Sequence, residues 1–407
     1  MSFRDFLTKS PFIYNSLKGP YFFVKGIEYC IIFFLVILFT KRNPKSNELL
    51  IIRPDGIGDI IVWLDTAKEY KRIFKNHRLT LLCNSECVEL IHKLKYFDSI
   101  ISINQRKFGR SIIYRFLLFR NIAKSGYHTI ISTRYSRHYF CDDAIVRISG
   151  AAERIGFDSD LSNITLKQKI AGDRLYTNLI KAKKITLHEL ERNAEFIRGI
   201  GFKNFTCGIP KLPDKVLPKN ILKEQKEQID AYCVLFPGAG AYYRRWPIKR
   251  FSEIVIRTHE HIGLACIICG SSGDKILASE ILNATPGVHM IDMTGKASIL
   301  ELATIIRDAA AVITNETSAA NIAAAVSTPA VCILGGGHYG RFMPIPEHIK
   351  GAGIISCVSL KRDCFNCNWK CIHKTQTGEP FPCIKDISVD NVWEKLELIF
   401  NKGNTKC

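Results

Sequence analysis

The sequence is short of acidic residues. Only 38 Asp and Glu residues stand against 57 Lys and Arg in a chain of 407, which gives a formal net charge of +19. A protein this basic suits an anionic partner, such as nucleic acid, a membrane surface or a phosphorylated substrate. The basic residues are scattered, and no Lys/Arg block resembles a nucleic-acid-binding arm. We therefore favour the membrane surface and the phosphorylated substrate, and expect no nucleic acid.

Two further patterns are missing. After Phe236 the chain reads Pro-Gly-Ala-Gly-Ala-Tyr-Tyr, so no G-x-G-x-x-G follows a predicted strand. This argues against a Rossmann oxidoreductase. The longest uncharged apolar run, residues 29–39, is short of the roughly 20 residues that a membrane span needs. No small-x-small site follows that run, so we expect no cleavable signal peptide.

Residues 1–46 form a segment of their own, with basic residues on both sides of the apolar run. We predict a membrane-associating helical segment that lies on, or dips into, the inner face of the cytoplasmic membrane, with Lys and Arg on anionic headgroups. A single-span anchor and a helix pair packed on the protein body are the alternatives. The rest of the chain is then cytoplasmic and peripheral to the membrane.

Most of the fifteen cysteines, such as Cys83 and Cys233, sit in apolar contexts and are typical of small buried residues in a reducing cytosol. A separate group near the C-terminus fits a structural zinc site only loosely, and reduced packing cysteines are the other interpretation. This group consists of Cys364, Cys367, Cys371 and Cys383.

From Asn47 onward, predicted strands and helices alternate twice, with a region lacking a clear period between the two series. The pattern predicts an α/β protein made of two Rossmann-like, doubly wound domains that face a cleft. The expected parts are an N-terminal domain over 47–202, a linker over 203–230, a C-terminal domain over 231–387, and a C-terminal helix and tail over 388–407.

The stretch 49–59, LLIIRPDGIGD, reads as a buried strand, a turn and the start of a helix. Pro54 should end the strand near Arg53, while Gly56 and Gly58 permit a sharp turn and a close approach of the backbone. Asp59 then lies at or just before the helix start. It either caps that helix or takes a proton from a bound molecule.

Two loops of the second series carry groups that attract phosphate. Gly238 and Gly240 expose backbone N–H groups after a predicted strand, and Arg244 and Arg245 add two positive charges that suit a diphosphate. A solvated loop anchored by Trp246 is the alternative.

The second loop, Asn315-Glu316-Thr317-Ser318, lies at the start of an Ala-rich helix, where an anion is favoured, although plain capping explains the same pattern. A third loop, residues 335–346, is Gly-rich and could close over a ligand, with His338 as a base or as a solvated side chain. Asp274 is a candidate for a ribose hydroxyl, with a surface carboxylate as the alternative.

The order of these motifs resembles glycosyltransferase family 9, the ADP-heptose:lipopolysaccharide heptosyltransferases and their relatives. The match covers about residues 47–400 and leaves the N-terminal segment outside. Its motifs are IIRPDGIGD, HELERN at 188–193, FPGAGAYYRRWPIKRFSE, GKASILELATII, TNETSAANIAAAVSTP and the terminal cysteines.

The resemblance implies a GT-B architecture, with the nucleotide sugar on the C-terminal domain and the acceptor on the N-terminal one. It also implies an inverting, metal-independent sugar transfer, with Asp59 as the general base and with Arg244 and Arg245 on the donor diphosphate. Acceptor-side loop residues are then Arg53, Gly56 and Gly58. The expected partners are an ADP-heptose-like donor and an anionic glycolipid or glycan acceptor. A catalytically inactive nucleotide-binding or scaffold protein is the alternative function.

The sequence departs from the family pattern at the donor helix. Family members carry Asp-(Thr/Ser)-Gly and then a His, where this chain has Glu316-Thr317-Ser318 and then Asn321. Ala239 and Gly240 replace hydroxyl residues that some heptosyltransferases carry, which leaves only backbone N–H groups there. We expect these differences to alter the nucleotide pocket.

Overall fold

The computed structural model describes residues 11–43, 45–219, 221, 229, 231–373, 375–376 and 378–403, with side chains described between Val24 and Asn401. Most of the predicted linker's second half, including residues 222–228, lies outside the described residues. The chain folds into two compact units. The first comprises Met1–Pro54, Lys71–Val88 and Phe97–Lys183, and the second comprises Asp55–Tyr70, Glu89–Tyr96 and Lys184–Cys407. The domain boundaries proposed from the sequence stay predictions, since these units divide the chain at other positions.

The first unit is built on a six-stranded sheet in the order β3-β2-β1-β4-β5-β6. Every pair of neighbours is parallel, and Leu50 of the central strand is in register with Thr80 on one side and Ile130 on the other. The strands are β1 (Lys45–Arg53), β2 (Arg78–Asn84), β3 (Ser99–Ile103), β4 (Tyr127–Ser132), β5 (Glu153–Phe157) and β6 (Asn178–Ile180).

Helices alternate with these strands. In chain order they are α1 (Pro11–Phe39), α2 (Ile57–Ala67), α3 (Tyr70–Ile73), α4 (Val88–Leu94), α5 (Gln105–Arg110), α6 (Ile112–Ser125), α7 (Ala144–Ser149) and α8 (Leu166–Asp173). Helix α2 belongs to the second unit, and so does helix α4 from Glu89 onward. The core of the first unit joins one face of α1 to the sheet through buried Tyr29, Ile32, Phe33 and Val36.

The second unit repeats the arrangement with a parallel sheet in the order β12-β11-β10-β7-β8-β9. Its strands are β7 (Tyr232–Phe236), β8 (Ala265–Ile268), β9 (Met290–Asp292), β10 (Ala311–Asn315), β11 (Ala330–Ile333) and β12 (Ile355–Val358). Its later helices are α9 (Glu189–Gly199), α10 (Ile248–Ile262), α11 (Lys275–Ala284), α12 (Ile299–Arg307), α13 (Ser318–Val326), α14 (Pro382–Lys385) and α15 (Val389–Gly403).

Both sheets have the strand order of a doubly wound fold, which confirms the predicted fold class for each unit. In the second sheet the strand order reverses between β7 and β10, and ligands of such sheets bind beyond the strand ends at this point. The two phosphate-attracting loops follow β7 and β10 directly.

The sequence interpretation was incomplete at the sheet edges, because the edge strands β6 and β12 were not predicted. Among the described residues, none of the helices combines the length and the apolar character that a transmembrane segment needs.

Candidate active site

The first turn of α2 carries Asp59. Strand β1 ends at Arg53, as expected from Pro54, and Gly56 is the N-cap of α2, in extended backbone and with no side-chain cap hydrogen bond. The prediction that Asp59 caps this helix was therefore wrong, because the cap lies three residues earlier. The Asp59 carboxylate lies in the first turn, where the helix dipole favours negative charge.

Gly58 marks a close contact between two helix starts within the second unit. A Cβ added at Gly58 would lie 3.0 Å from Asn321 Nδ2 and 3.4 Å from Ser318 Cα. Both contacts belong to the first turn of α13, where Thr317 is the N-cap and its hydroxyl accepts a hydrogen bond from the Ala319 N–H (3.3 Å). The structure thus brings the predicted base next to the predicted anion-binding helix.

Glu316 joins this group to the β7 loop. Arg244 Nη2 lies 3.4 Å from both Glu316 Oε2 and the Glu316 backbone oxygen. Glu316 is 9% exposed, and its Oε1 atom has no hydrogen-bond partner. Burial raises the pKa of Glu316 to about 7, with a further contribution from the negative charge of Asp59 and an opposing one from Arg244. Glu316 is thus a carboxyl that changes charge near neutral pH.

Arg245 is paired with the other predicted donor residue. Its Nη2 atom lies 3.7 Å from Asp274 Oδ1 and 3.5 Å from the Ala239 carbonyl oxygen. The Ser271 N–H (2.9 Å) and hydroxyl (2.7 Å) both donate to Asp274 Oδ2. Asp274 is buried, so the surface-carboxylate alternative was wrong. A Cβ at Gly238 would lie 2.6 Å from this carboxylate, which explains why a glycine is needed there.

Asn315 begins the second phosphate-attracting loop, but the sequence interpretation gave it no role. Its side-chain amide donates to the carbonyl oxygens of Pro237 (2.8 Å) and Gly238 (3.2 Å), and its Oδ1 accepts from the Trp246 N–H (3.0 Å). Because Asn315 is fully buried at the end of β10, it fixes both ends of the arginine loop to the central strand. A polar residue that ends an otherwise apolar strand was the available signal.

An aromatic group beneath Arg244 was also missed. The Arg244 guanidinium lies 4.6 Å from the Trp369 ring centroid, and Tyr243 stacks on Phe381 at 4.6 Å. The face of an aromatic ring attracts a cation and limits the orientations of the guanidinium. Trp369 therefore orients Arg244 from one side while Glu316 contacts it from another.

The three successive glycines of the Gly-rich loop are packed against aromatic side chains and do not face an open space that a ligand could fill. A Cβ at Gly336 would lie 2.2 Å from Phe365, and one at Gly337 would lie 2.3 Å from Trp369. His338, expected as a base or a solvated residue, contacts Asn368 Oδ1 (2.6 Å) and accepts from Trp369 Nε1 (3.2 Å). Burial lowers the pKa of His338. These glycines serve aromatic packing, and His338 orients Trp369.

The HELERN motif supports the same loop. His188 caps α9 through Nδ1, which accepts from the Leu190 N–H (3.2 Å), and its Nε2–H donates to the Phe342 carbonyl (2.7 Å). Glu189 pairs with Arg341 at 2.9 Å. Burial lowers the pKa of His188, which agrees with the neutral ring that these two hydrogen bonds require. The motif is therefore structural.

The C-terminal cysteines lie near one another. Burial raises the pKa of the Cys383 thiol, with smaller contributions from Cys371, Cys367 and Cys364. Cys364 Sγ lies 3.7 Å from His373 Nε2. Among the described residues, no group of three or more His, Cys, Asp or Glu is arranged to hold a metal ion. Structural zinc stays a prediction, which elemental analysis of the purified protein would test.

The first unit carries a buried polar network that was not predicted. Arg137 is fully buried, 3.4 Å from Asp143 and paired with Asp173, and the Tyr176 hydroxyl donates to Asp143 (2.8 Å). Burial raises the pKa of Asp143 to about 6. Arg53, assigned to the acceptor side, is also buried and donates to the Thr133 carbonyl (3.3 Å). Both groups stabilise loops at the ends of the first sheet.

The chain is similar to several known proteins, among them a curated protein and two solved structures. Lipopolysaccharide heptosyltransferase 3 of Escherichia coli K12 is 24% identical over 169 residues, which is 40% of this chain and 48% of that protein. The chain thus matches about half the length of this curated relative. A family 9 glycosyl transferase structure from Veillonella parvula is 14% identical with a TM-score of 0.65, covering 89% of this chain and 99% of that one.

The third similar chain is TibC, described as a dodecameric iron-containing heptosyltransferase in complex with ADP-D-beta-D-heptose and known from enterotoxigenic E. coli H10407. It is 13% identical with a TM-score of 0.52, and the alignment covers 89% of this chain and 78% of that one. At these identities the two structures establish the fold alone. The model of glycosyltransferase family 9 (heptosyltransferase) matches residues 143–369, more than half of the sequence. The chain belongs to glycosyltransferase family 9.

Proposed function

We propose that this protein is an inverting glycosyltransferase that moves a heptose or a related sugar from a nucleotide diphosphate sugar to a lipopolysaccharide or another cell-surface glycan. The observation that supports the proposal is the close contact of α2 and α13 at Gly58, together with the charge interaction between Asp59 and Glu316. Family membership, the heptosyltransferase relative and the ADP-heptose complex of TibC support a donor similar to ADP-heptose.

Asp59 is the general base of the proposed reaction. A sugar hydroxyl is a weak nucleophile, so a carboxylate within hydrogen-bond reach removes its proton as the oxygen bonds to the anomeric carbon. In the same step the bond from that carbon to the diphosphate oxygen breaks, and the nucleoside diphosphate leaves with the electron pair. A single displacement of this kind inverts the anomeric configuration.

The leaving diphosphate gains negative charge as this bond breaks. Arg244, Arg245 and the N-terminus of α13 supply fixed positive potential for it. Both guanidiniums already have a defined orientation, through Glu316 and Trp369 for Arg244 and through Asp274 for Arg245. Groups oriented before the reaction stabilise the transition state without reorganising.

The charges in this scheme are all protein groups, so we propose a metal-independent transfer. Because TibC is iron-containing, the proposal needs a direct test. Protein stripped of metal with a chelator and checked by elemental analysis should retain full activity. Loss of activity that added iron or zinc restores would contradict metal independence, and would leave the roles of Asp59 and the arginines to be tested separately.

The first experiment is incubation with a panel of nucleotide sugars, with product formation and slow donor hydrolysis as readouts. Asp59→Asn should reduce transfer by about 10²–10⁴-fold, the usual contribution of a general base, and leave donor affinity nearly unchanged. Arg244→Ala and Arg245→Ala should instead weaken donor binding. Loss of donor binding in Asp59→Asn, or unchanged affinity in both arginine variants, would contradict these assignments.

A nucleotide-binding protein without transferase activity is the second candidate. It is favoured by the fact that both arginines already pair with carboxylates, Glu316 and Asp274, with which a diphosphate must compete. Donor binding with neither transfer nor hydrolysis across the panel would support this second candidate and overturn the first.

A further inference from the structure

Helix α1 of the first unit has two apolar faces, of which only one is covered by protein. Its inner face is buried through Tyr29, Ile32, Phe33 and Val36. The outer face leaves Ile31 55% and Phe34 65% exposed. A surface helix of a globular protein normally turns polar residues to the solvent, and a helix that is apolar on every side is normally enclosed.

The exposed side chains form one continuous stripe. Ile27, Ile31, Phe34 and Leu38 follow the i, i+4, i+7 and i+11 spacing that places residues on one side of a helix, and Ile37 extends the stripe. We call these five residues the outer stripe. Each is at least 47% exposed. A contiguous exposed apolar patch of this kind marks an interaction surface.

The charged residues of the same part of α1 point away from the outer stripe. Between Val24 and Phe39 they are Lys25 and Glu28, whose side chains are only 18% and 15% exposed and pair at 2.7 Å. Glu28 also pairs with buried Arg115 of α6. Because these charges are neutralised on the protein side, the outer stripe has purely apolar character.

The neighbouring helix α6 continues the pattern and adds charge. Aromatic contacts join the helices, with Phe33 and Phe119 ring centroids 5.7 Å apart. On its own exposed side, α6 presents Ile113 (72% exposed) and Leu117 (53%) at its beginning. Exposed Arg120 and Lys124 follow one and two turns later. Apolar and basic side chains therefore share the exposed side of this helix.

This region of the sequence has no acidic residues. After Asp98 the next acidic residue is Asp142, and eight Lys or Arg residues lie between them. Five of the eight are exposed: Arg106, Lys107, Arg110, Arg120 and Lys124. An apolar surface on a part of the protein that also exposes basic residues is complementary to a bilayer with anionic headgroups, which takes up apolar side chains and attracts cations.

We propose that the outer stripe of α1, together with the exposed side of α6, is the docking surface of this protein for an anionic phospholipid bilayer, with α1 lying in the interface plane. In this arrangement the inner face of α1 stays on the protein core while Phe34 and its neighbours enter the acyl boundary. The proposal does not depend on the assigned reaction, because α1 and α6 belong to the first unit and the proposed catalytic groups to the second.

Vesicle flotation of the full chain tests the apolar part. Phosphatidylcholine vesicles with and without about a third phosphatidylglycerol are compared, and the wild type should bind the anionic ones. The double variant Ile31→Asp/Phe34→Asp should lose at least tenfold in binding. Its control is Ile276→Asp, an isoleucine of the second unit that is more exposed (72%) than either residue of the double variant, and this variant should bind like the wild type. Circular dichroism and donor binding confirm that both variants are folded.

Arg120→Gln/Lys124→Gln tests the electrostatic part. Since each basic residue near an anionic surface contributes about fivefold in binding, this variant should bind about 25-fold more weakly to anionic vesicles. Raised salt should reduce wild-type binding in the same way. Wild-type levels of binding in the Ile31→Asp/Phe34→Asp variant would overturn the proposal. A second result would also overturn it: a wild type that does not bind vesicles and forms a stable dimer in light scattering, where the same double variant is a monomer. A second copy of the chain would then cover the outer stripe.

Discussion

Replacing Glu316 with Gln should change how the stability of the protein depends on pH. The pKa of this buried carboxyl is raised from 4.5 to about 7 in the folded protein. The folded state therefore holds the proton more tightly than the unfolded state does. Stability from the protonated carboxyl is fully present below about pH 4.5, falls as the pH rises and is lost above pH 7. Glutamine resembles the protonated carboxyl at every pH.

The size of the effect follows from the same pKa difference. About 2.5 units correspond to about 3 kcal/mol between the two limits. Relative to the wild type, Glu316→Gln should gain little at pH 4.5 and about 3 kcal/mol at pH 8 in the free energy of unfolding. The attraction of Arg244 for the ionised carboxylate opposes the effect of burial and is already contained in the pKa of about 7, so it needs no separate correction.

Urea unfolding at several pH values between 4.5 and 8 measures this difference. Glu280→Gln is the matched control, because Glu280 is an exposed glutamate on α11 of the same unit. Unfolding free energies of wild type and Glu316→Gln that stay parallel across the whole range would refute the reasoning. They would mean that Glu316 carries its charge equally easily in the folded and unfolded states.

Three other outcomes are expected. Affinity for an ADP-sugar should fall as the pH rises from 6 to 8, because a diphosphate near Arg244 raises the pKa of Glu316 further and binding takes up a proton. Calorimetry in two buffers of different ionisation heat measures this proton uptake. The Glu316→Gln variant should show no such uptake. Gly58→Val should weaken donor binding and destabilise the protein by about 1–3 kcal/mol, since even a Cβ would lie 3.0 Å from Asn321. Gly56→Ala should be tolerated, because a Cβ there would lie 4.0 Å from the Asp59 carboxylate. Gly336→Ala should destabilise by a similar amount, about 1–3 kcal/mol, because of Phe365, and Gly353→Ala, with nothing within 4 Å, should not.

Local patterns were sufficient to predict the elements that carry the site. The apolar run of β1 and the block at Pro54 placed the end of the strand correctly, and the glycines that follow predicted the turn into α2. Thr317 at the start of an Ala-rich run likewise predicted the N-terminus of α13. In these cases residues close in sequence determine the backbone, so the sequence alone carries the information.

The pairings across the site could not be predicted in this way. Arg244 and Glu316 are 72 positions apart, and the stacking of Trp369 on Arg244 joins two loops with no shared local pattern. Asp274 was different, because Ser271 three residues earlier forms a capping box with it, a signature visible in the sequence. That signature would have indicated a buried cap instead of a surface carboxylate.

The protonation of Glu316 connects the fold to the proposed chemistry. Two negative charges near each other are unfavourable, and Asp59 and Glu316 are close enough for the first to raise the pKa of the second. With Glu316 neutral, Arg244 keeps its full positive charge for a diphosphate, and an ionised Asp59 is the remaining acceptor for the proton of a sugar hydroxyl. With Glu316 ionised, its carboxylate 3.4 Å away neutralises Arg244, and the donor diphosphate must compete with that carboxylate for the guanidinium. A longer acid at this position therefore makes donor binding depend on pH near neutrality, which a permanently charged or permanently neutral side chain would not do.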